Sequence, residues 1–375
     1  MAVQSRTDES AGGAALPATA RASVALPGSG SEIRRLPITR VREDGGWLRV
    51  TSSGICGTDV GLYAAGVAAP TIFGHHVVGE IATVGADAAR RWGVDAGSRV
   101  VLEEYLPCGT CSTCRTGPYR LCPETDIWGG GRRIGTIPVA EAPGLFGGNA
   151  EYLCLPPNAV VHPLPDGMHE DLAAWVLPYA NALDWTTDAG RLAPGETVVV
   201  LGPGYHGLAV VAAAVAGGAG RVVVCGLARD AERLAMAEAV GAVPVVLDGA
   251  NLADHVRGGT VDLVVDAVGS DAGVVGPAVD LLGYGGRLVL TAPKKPLQIG
   301  LDTSAMIRRS LTVRAVRGRA PEGITAAIAS LADGSSHLDR VPTVEVSLDG
   351  VGDMLARLAA GTGPESPHIV VRPNA

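Results

Sequence analysis

Aromatic side chains are scarce in this sequence, at 4% of 375 residues with two Phe. Its cores must therefore be built from Val, Ala and Leu. No apolar run approaches the roughly 18 residues that a membrane span requires, which excludes a transmembrane helix. A basic surplus is missing as well: 30 Lys and Arg stand against 38 Asp and Glu, for a net charge of −8. Without a basic patch to neutralise phosphates, nucleic acid and anionic membrane surfaces are excluded as partners. No internal repeat is visible. The opening MAVQSRTDESAGGAALPATARAS lacks a continuous apolar core and does not read as a secretory signal. It is expected to be a flexible tail over residues 1–20, and the chain is expected to be cytoplasmic.

What is present is ample core material, 47% hydrophobic and 18% charged residues, on a chain long enough for two domains. The 52 Gly and 25 Pro announce many turns. Texture changes near residue 180. Before it, short apolar runs such as WLRVTSSG, EIATVG and SRVVLEEYLPCG are broken by Gly, Pro and Cys, as in an irregular, mainly β domain. After it come TVVVLG (197–202), RVVVCG (221–226), PVVLDG (244–249), DLVVDAVG (262–269), RLVLTA (287–292) and LTVRAV (311–316). Continuous β-branched runs of this kind mark strands buried on both faces. Helical stretches such as LAVVAAAVAGG and DAERLAMAEAVGA separate them, which predicts an α/β, doubly wound parallel sheet. Texture turns mixed again after Arg319, so residues 320–375 are expected to rejoin 21–180, leaving 181–319 as the dinucleotide-binding domain.

The first of these strands runs into GPGYHG, with Gly202, Gly204 and Gly207 spaced G-x-G-x-x-G and a helical segment following. The first Gly allows a tight turn, the second lets a pyrophosphate approach the backbone, and the third lets helix pack on strand. A glycine-rich turn without ligand is the bland alternative. At the end of the second strand, an acid would accept hydrogen bonds from the ribose of NAD, whereas Gly with a nearby Arg suits the 2′-phosphate of NADP. Gly226 and Arg229 favour NADP over NAD, although Asp230 is adjacent. Leu290 and Thr291, closing the fifth run, are further candidates to line the cofactor.

Seven cysteines, an odd number, favour metal or thiol roles over disulfides. Cys108, Cys111, Cys114 and Cys122 follow the spacing C-x2-C-x2-C-x7-C in a turn-rich lobe at about 104–124. Four thiolates brought together this way make a closed, structural zinc site, with an iron–sulfur cluster or free thiols as alternatives. A His pair, His75 and His76, stands in GHHVVG at 74–79. Two adjacent histidines carry little meaning alone.

GICGTD (54–59), GHHVVGEIATVG (74–85), the four-cysteine lobe, GPGYHG and the split-domain order together resemble the medium-chain dehydrogenase/reductase family, the zinc-containing alcohol dehydrogenases. The resemblance runs from about residue 30 to the end. It implies a mainly β GroES-like domain beside the Rossmann domain, a small-molecule substrate between them, and a homodimer or homotetramer. It also implies a catalytic zinc on Cys56 and His75, with Asp59 orienting His75 and Thr58 relaying the substrate proton. His206 falls where the family packs against the nicotinamide.

Two departures stand out. The family has Glu where this chain has His76, and the third ligand position falls on Leu177, which cannot coordinate. His76 is a candidate third ligand, since neutral imidazole binds zinc, or else a packed core histidine. Adjacent strand residues face opposite ways, so ligation by both histidines requires a bend. Tyr179, Asn181 and Asp184, just downstream, are candidates to line the cleft, with Tyr179 placed in the catalytic set. The expected function is NAD(P)-dependent interconversion of an alcohol and a carbonyl compound with an altered catalytic zinc site. A zinc-independent NADPH reductase of an activated C=C or C=N bond and a non-catalytic cofactor-binding protein are the alternatives.

Overall fold

The computed structural model describes residues 16–28, 30–247, 252–256, 260–269, 271–295 and 298–375. Six parallel strands form one sheet, in the spatial order Val243–Val246, Arg221–Gly226, Thr197–Leu201, Val261–Asp266, Leu282–Leu290, Thr312–Ala315. Numbered along the chain this is 3-2-1-4-5-6, the doubly wound order whose ligand crevice opens where the strand order reverses, at the carboxyl ends of Thr197–Leu201 and Val261–Asp266. Val198, Val199 and Val200 are fully buried, and so are Leu263, Val264 and Val265 on the neighbouring strand, as expected for strands covered on both faces. The helix Tyr205–Ala216 is buried along every residue from Gly207 to Ala214, which explains why it is apolar all round rather than amphipathic.

A second, mostly antiparallel sheet carries the other chemistry. Gly46–Gly54 pairs with His76–Val84, which continues through Arg99–Leu102 to Val161–Pro163. The C-terminal strand Ile369–Arg372 pairs with the end of Gly46–Gly54, and Val344–Ser347 lies outside it. The terminal segment thus returns to the sheet built by the first part of the chain. A third, small sheet joins Ser31–Pro37, Thr19–Ala25 and Thr71–Ile72. The expected tail over 1–20 lies outside the described residues as far as residue 15, and its last two positions belong to the strand Thr19–Ala25.

One apolar core spans both large sheets. Val78 and Val101 from the antiparallel sheet pack in the same cluster as the helices Val176–Leu183, Tyr205–Ala216 and Pro321–Ala332. Register finishes the arrangement: Gly54 lies opposite His76, so the chain leaving one strand toward Cys56 passes the start of the other. No helix among the described residues is long and apolar enough to cross a membrane.

Candidate active site and metal centres

Each glycine of the 202–207 loop has a distinct steric reason. Gly202 takes φ +91°, the left-handed region that favours glycine. A Cβ on Gly207 would lie 1.9 Å from the Gly202 carbonyl oxygen, so helix and strand could not close on any larger residue. Gly204 faces open space, the opening a pyrophosphate needs, at the start of a twelve-residue helix. At the next strand end, Asp230 accepts a hydrogen bond from the Leu227 amide at 2.9 Å, which engages its carboxylate locally. Arg229 is exposed beside it. A Cβ on Gly226 would meet Pro203 at 3.0 Å, so a larger residue there is crowded. Leu290 ends its strand, and the Thr291 hydroxyl donates to the Asp266 carbonyl at 2.8 Å.

Cys56 and Asp59 open the helix Gly57–Ala65. Asp59 accepts from the Cys56 amide at 2.9 Å and the Gly74 amide at 3.3 Å, and bonds His75 Nδ1 at 3.0 Å. This fixes the His75 ring and leaves its Nε2 as the remaining donor atom. Gly74 takes φ +93°, and a Cβ there would strike the Asn149 amide at 2.8 Å. The resulting turn places His75 just ahead of the strand His76–Val84, so strand alternation does not separate the two rings. Their centroids lie 4.6 Å apart at 73°. The bend brings the rings together, but among the described residues no group of three donors within 4.8 Å of one another includes His75.

Donor atoms of Cys56, His76 and His206 all lie within 4.8 Å of one another. The Thr58 hydroxyl is 3.9 Å from Cys56 Sγ. His76 is buried, and its Nδ1 has no hydrogen-bond partner. Burial is the main force holding His76 well below its ordinary pKa, reinforced by His75, His206 and Arg319. Burial, then His75 and Arg319, push His206 down to about 4. Both rings are neutral at pH 7, the form that ligates a metal. Burial opposes charge on His75 too, but the Asp59 carboxylate and contact with Cys56 outweigh it and raise its pKa well above the ordinary value.

A charged cluster missed in the sequence stands behind these rings. Arg319 is fully buried and donates to Glu104 at 2.6 Å, to Glu103 at 3.2 Å and to the Asn181 oxygen at 3.1 Å. That last bond turns the Asn181 amide nitrogen toward His206 Nε2, 3.5 Å away. Glu103 also binds His162 at 2.7 Å and Tyr119 of the cysteine lobe. Only the acidic pair in LEEYLPC hinted at this group.

Other candidates are not brought to the site. Tyr179 is buried in the shared core and its hydroxyl bonds Ser330 at 3.1 Å, so the catalytic role expected for it is replaced by packing. Asp184 accepts from the Ala320 amide at 3.0 Å, holding the start of the helix Pro321–Ala332. Leu177 is 1% exposed in the same apolar core.

The four lobe cysteines have their sulfurs within 4.8 Å of one another, with Cys108 and Cys114 at 4.0 Å. Tetrahedral Zn–S bonds of about 2.3 Å imply sulfurs about 3.8 Å apart, so the donor set fits zinc. The amides of Cys108 and Cys111 donate to the sulfurs of Cys122 and Cys108 at 3.4 and 3.3 Å. Hydrogen bonds, first from Thr110, pull the Cys108 thiol down to about 6.

Comparison with known proteins agrees with this architecture. Residues 43–166 match the family model for the alcohol dehydrogenase GroES-like domain, and 207–333 that for zinc-binding dehydrogenase. A probable alcohol dehydrogenase of Mycobacterium tuberculosis is 34% identical over 91% of this chain and 95% of its own. An L-threonine 3-dehydrogenase of Bacillus velezensis is 30% identical over 77% of this chain and 81% of its own. The crystal structure of a zinc-binding dehydrogenase from Sinorhizobium meliloti 1021 bound to NADP shares the fold, with a TM-score of 0.81 at 24% identity over 95% of this chain and all of that one. The chain belongs to the zinc-containing medium-chain dehydrogenase/reductase family and is an NAD(P)-dependent oxidoreductase.

Proposed function

We propose that this oxidoreductase interconverts a small alcohol and its carbonyl compound with NADP(H), using a metal centre on Cys56, His75 and His76. The observation that supports the reading is the convergence of the Cys56 thiol with nitrogens of His76 and of His206 in the glycine loop, with His75 held against Asp59 beside them. When bound, zinc polarises a C–O group as a Lewis acid and the nicotinamide exchanges hydride with the carbinol carbon. Asp59 fixes His75 through Nδ1, so its other nitrogen is presented to the metal. The Thr58 hydroxyl relays the proton that leaves the alcohol oxygen, accepting it while releasing its own toward solvent. Gly204 leaves room for the pyrophosphate, and exposed Arg229 pairs with the 2′-phosphate while Asp230 is engaged with its own backbone. Residues 21–180 with 320–375 form the substrate-bearing unit and 181–319 the dinucleotide unit, in a cytoplasmic homo-oligomer. Tyr284 and Ile307, 84% and 80% exposed, support association.

Leu177 favours a second reading, in which hydride is delivered to an activated C=C or C=N bond without a metal at Cys56. Zinc analysis separates them. The first reading expects two zincs per chain, with mild chelation stripping one together with alcohol oxidation and added zinc restoring both. A chain with one zinc and full turnover would establish the second. The chelation order follows from charge: four thiolates overcompensate Zn²⁺, whereas Cys56 alone leaves positive charge on the ion.

A further inference from the structure

We infer that His206, carried by the glycine loop of the dinucleotide fold, is itself a metal ligand with Cys56 and His76, so that one ion ties the nucleotide-binding loop to the antiparallel sheet. The inference rests on the reading that Cys56 holds a metal, and adds a donor that the sequence pattern places elsewhere. Three elements deliver the set. Cys56 precedes the helix Gly57–Ala65, His76 opens the strand opposite Gly54, and His206 is the second residue of the helix Tyr205–Ala216. Their donor atoms already lie within 4.8 Å of one another. Zn–S and Zn–N bonds of about 2.3 and 2.0–2.1 Å require tetrahedral donors about 3.4–3.6 Å apart, so no pair in the set has to close by more than about 1.4 Å, within reach of side-chain rotation.

Two further observations point to a ligand. His76 is 3% exposed with Nδ1 unpartnered, and an orphaned buried nitrogen demands an explanation that a metal centre provides. Leu177 contributes no donor, so the set lacks a member unless another element supplies one. His206 is that member. Arg319 holds the Asn181 amide oxygen at 3.1 Å, so the amide nitrogen donates to His206 Nε2 across a long 3.5 Å contact, and metal binding by His206 exchanges that weak bond for a metal bond. His75 is held by Asp59 through Nδ1, and in this set His206 takes the place it would otherwise fill, so three protein donors leave the fourth position open for substrate.

The test uses the full chain with the lobe zinc retained and the second site emptied by mild chelation. Zinc affinity is then measured by competition with a chromophoric chelator, and Co²⁺ is added to record thiolate charge-transfer and d–d bands. His206→Ala, His206→Asn and His76→Ala should each weaken the second site by at least about 10- to 100-fold, the loss typical when even a ligand's supporting hydrogen bond is removed. The Co²⁺ d–d bands should shift, while one lobe zinc per chain certifies the fold. Affinity within about threefold of the parent and an unchanged Co²⁺ spectrum in both His206 variants would overturn the assignment. If Cys56→Ser alone then abolished binding, the Cys56 centre would stand without His206. No second metal in the parent chain would overturn both.

Discussion

Replacing Arg319 with Met removes a charge from the middle of the molecule while keeping most of its volume. In the parent, the guanidinium is fully buried between Glu103, Glu104 and Asn181. Burial alone would raise the Glu104 pKa, but the charge and hydrogen bonds of Arg319 outweigh it and bring the carboxyl from 4.5 to about 2. At about 1.4 kcal/mol per unit, that differential is worth about 3 kcal/mol. The sign is that of a depressed acid: the contribution is present above the unfolded value of 4.5 and is lost as pH falls toward about 2. Arg319→Met should therefore cost about 3–5 kcal/mol at pH 7, the range for breaking a buried pair, because two carboxylates are left without their cation. The difference from the parent should narrow as acid neutralises Glu104. Adding Glu104→Gln to the variant should recover part of the loss, since removing both charges costs less than orphaning one. Urea unfolding in buffered zinc, followed by tryptophan fluorescence at pH 7 and below 4.5, reads all three. A cost under about 1 kcal/mol, or a double variant no more stable than the single one, would refute the reasoning.

Cys111→Ser should remove the lobe zinc and lower thermal stability, because metal binding there is part of the folding free energy; elemental analysis beside a melting curve checks both. Arg229→Ala should weaken NADP binding about tenfold and leave NAD binding unchanged, as measured by fluorescence titration, and a parent that binds NAD more tightly than NADP would contradict the preference. Gly207→Ala should abolish dinucleotide binding and destabilise the fold, since its methyl would sit 1.9 Å from the Gly202 oxygen; calorimetric titration with either dinucleotide tests it.

The parallel sheet was legible because each strand signals its environment in a few consecutive residues. Val198–Val200 and Val222–Val224 are β-branched without interruption, and only strands covered on both faces tolerate that. The glycine loop was legible for a related reason. Its residues act through backbone geometry, so spacing carries the information, as it does for the four lobe cysteines. Tyr179 shows the limit. Its polarity and position made it a cleft candidate, but helical phase turned its ring into the shared core and its hydroxyl toward Ser330.

What spacing cannot show is convergence over long separations. Arg319 meets Glu104 across 215 positions, and Asn181 meets His206 across 25 and two different elements. These contacts bear on the state of His76 and His206, which burial sets first. In the sequence, His76 registers only as a lost carboxylate. In the structure, Glu104 has its negative charge taken up by Arg319, and Arg319 in turn adds to burial in disfavouring a proton on His76 and His206. Neutral His76 and His206 can approach each other beside Cys56 without the repulsion that two imidazolium rings would add. A site with His where the family has Glu keeps those rings in their ligating form chiefly by burying them, and Arg319, absent from every motif, adds to that effect while its own charge is balanced by Glu103 and Glu104.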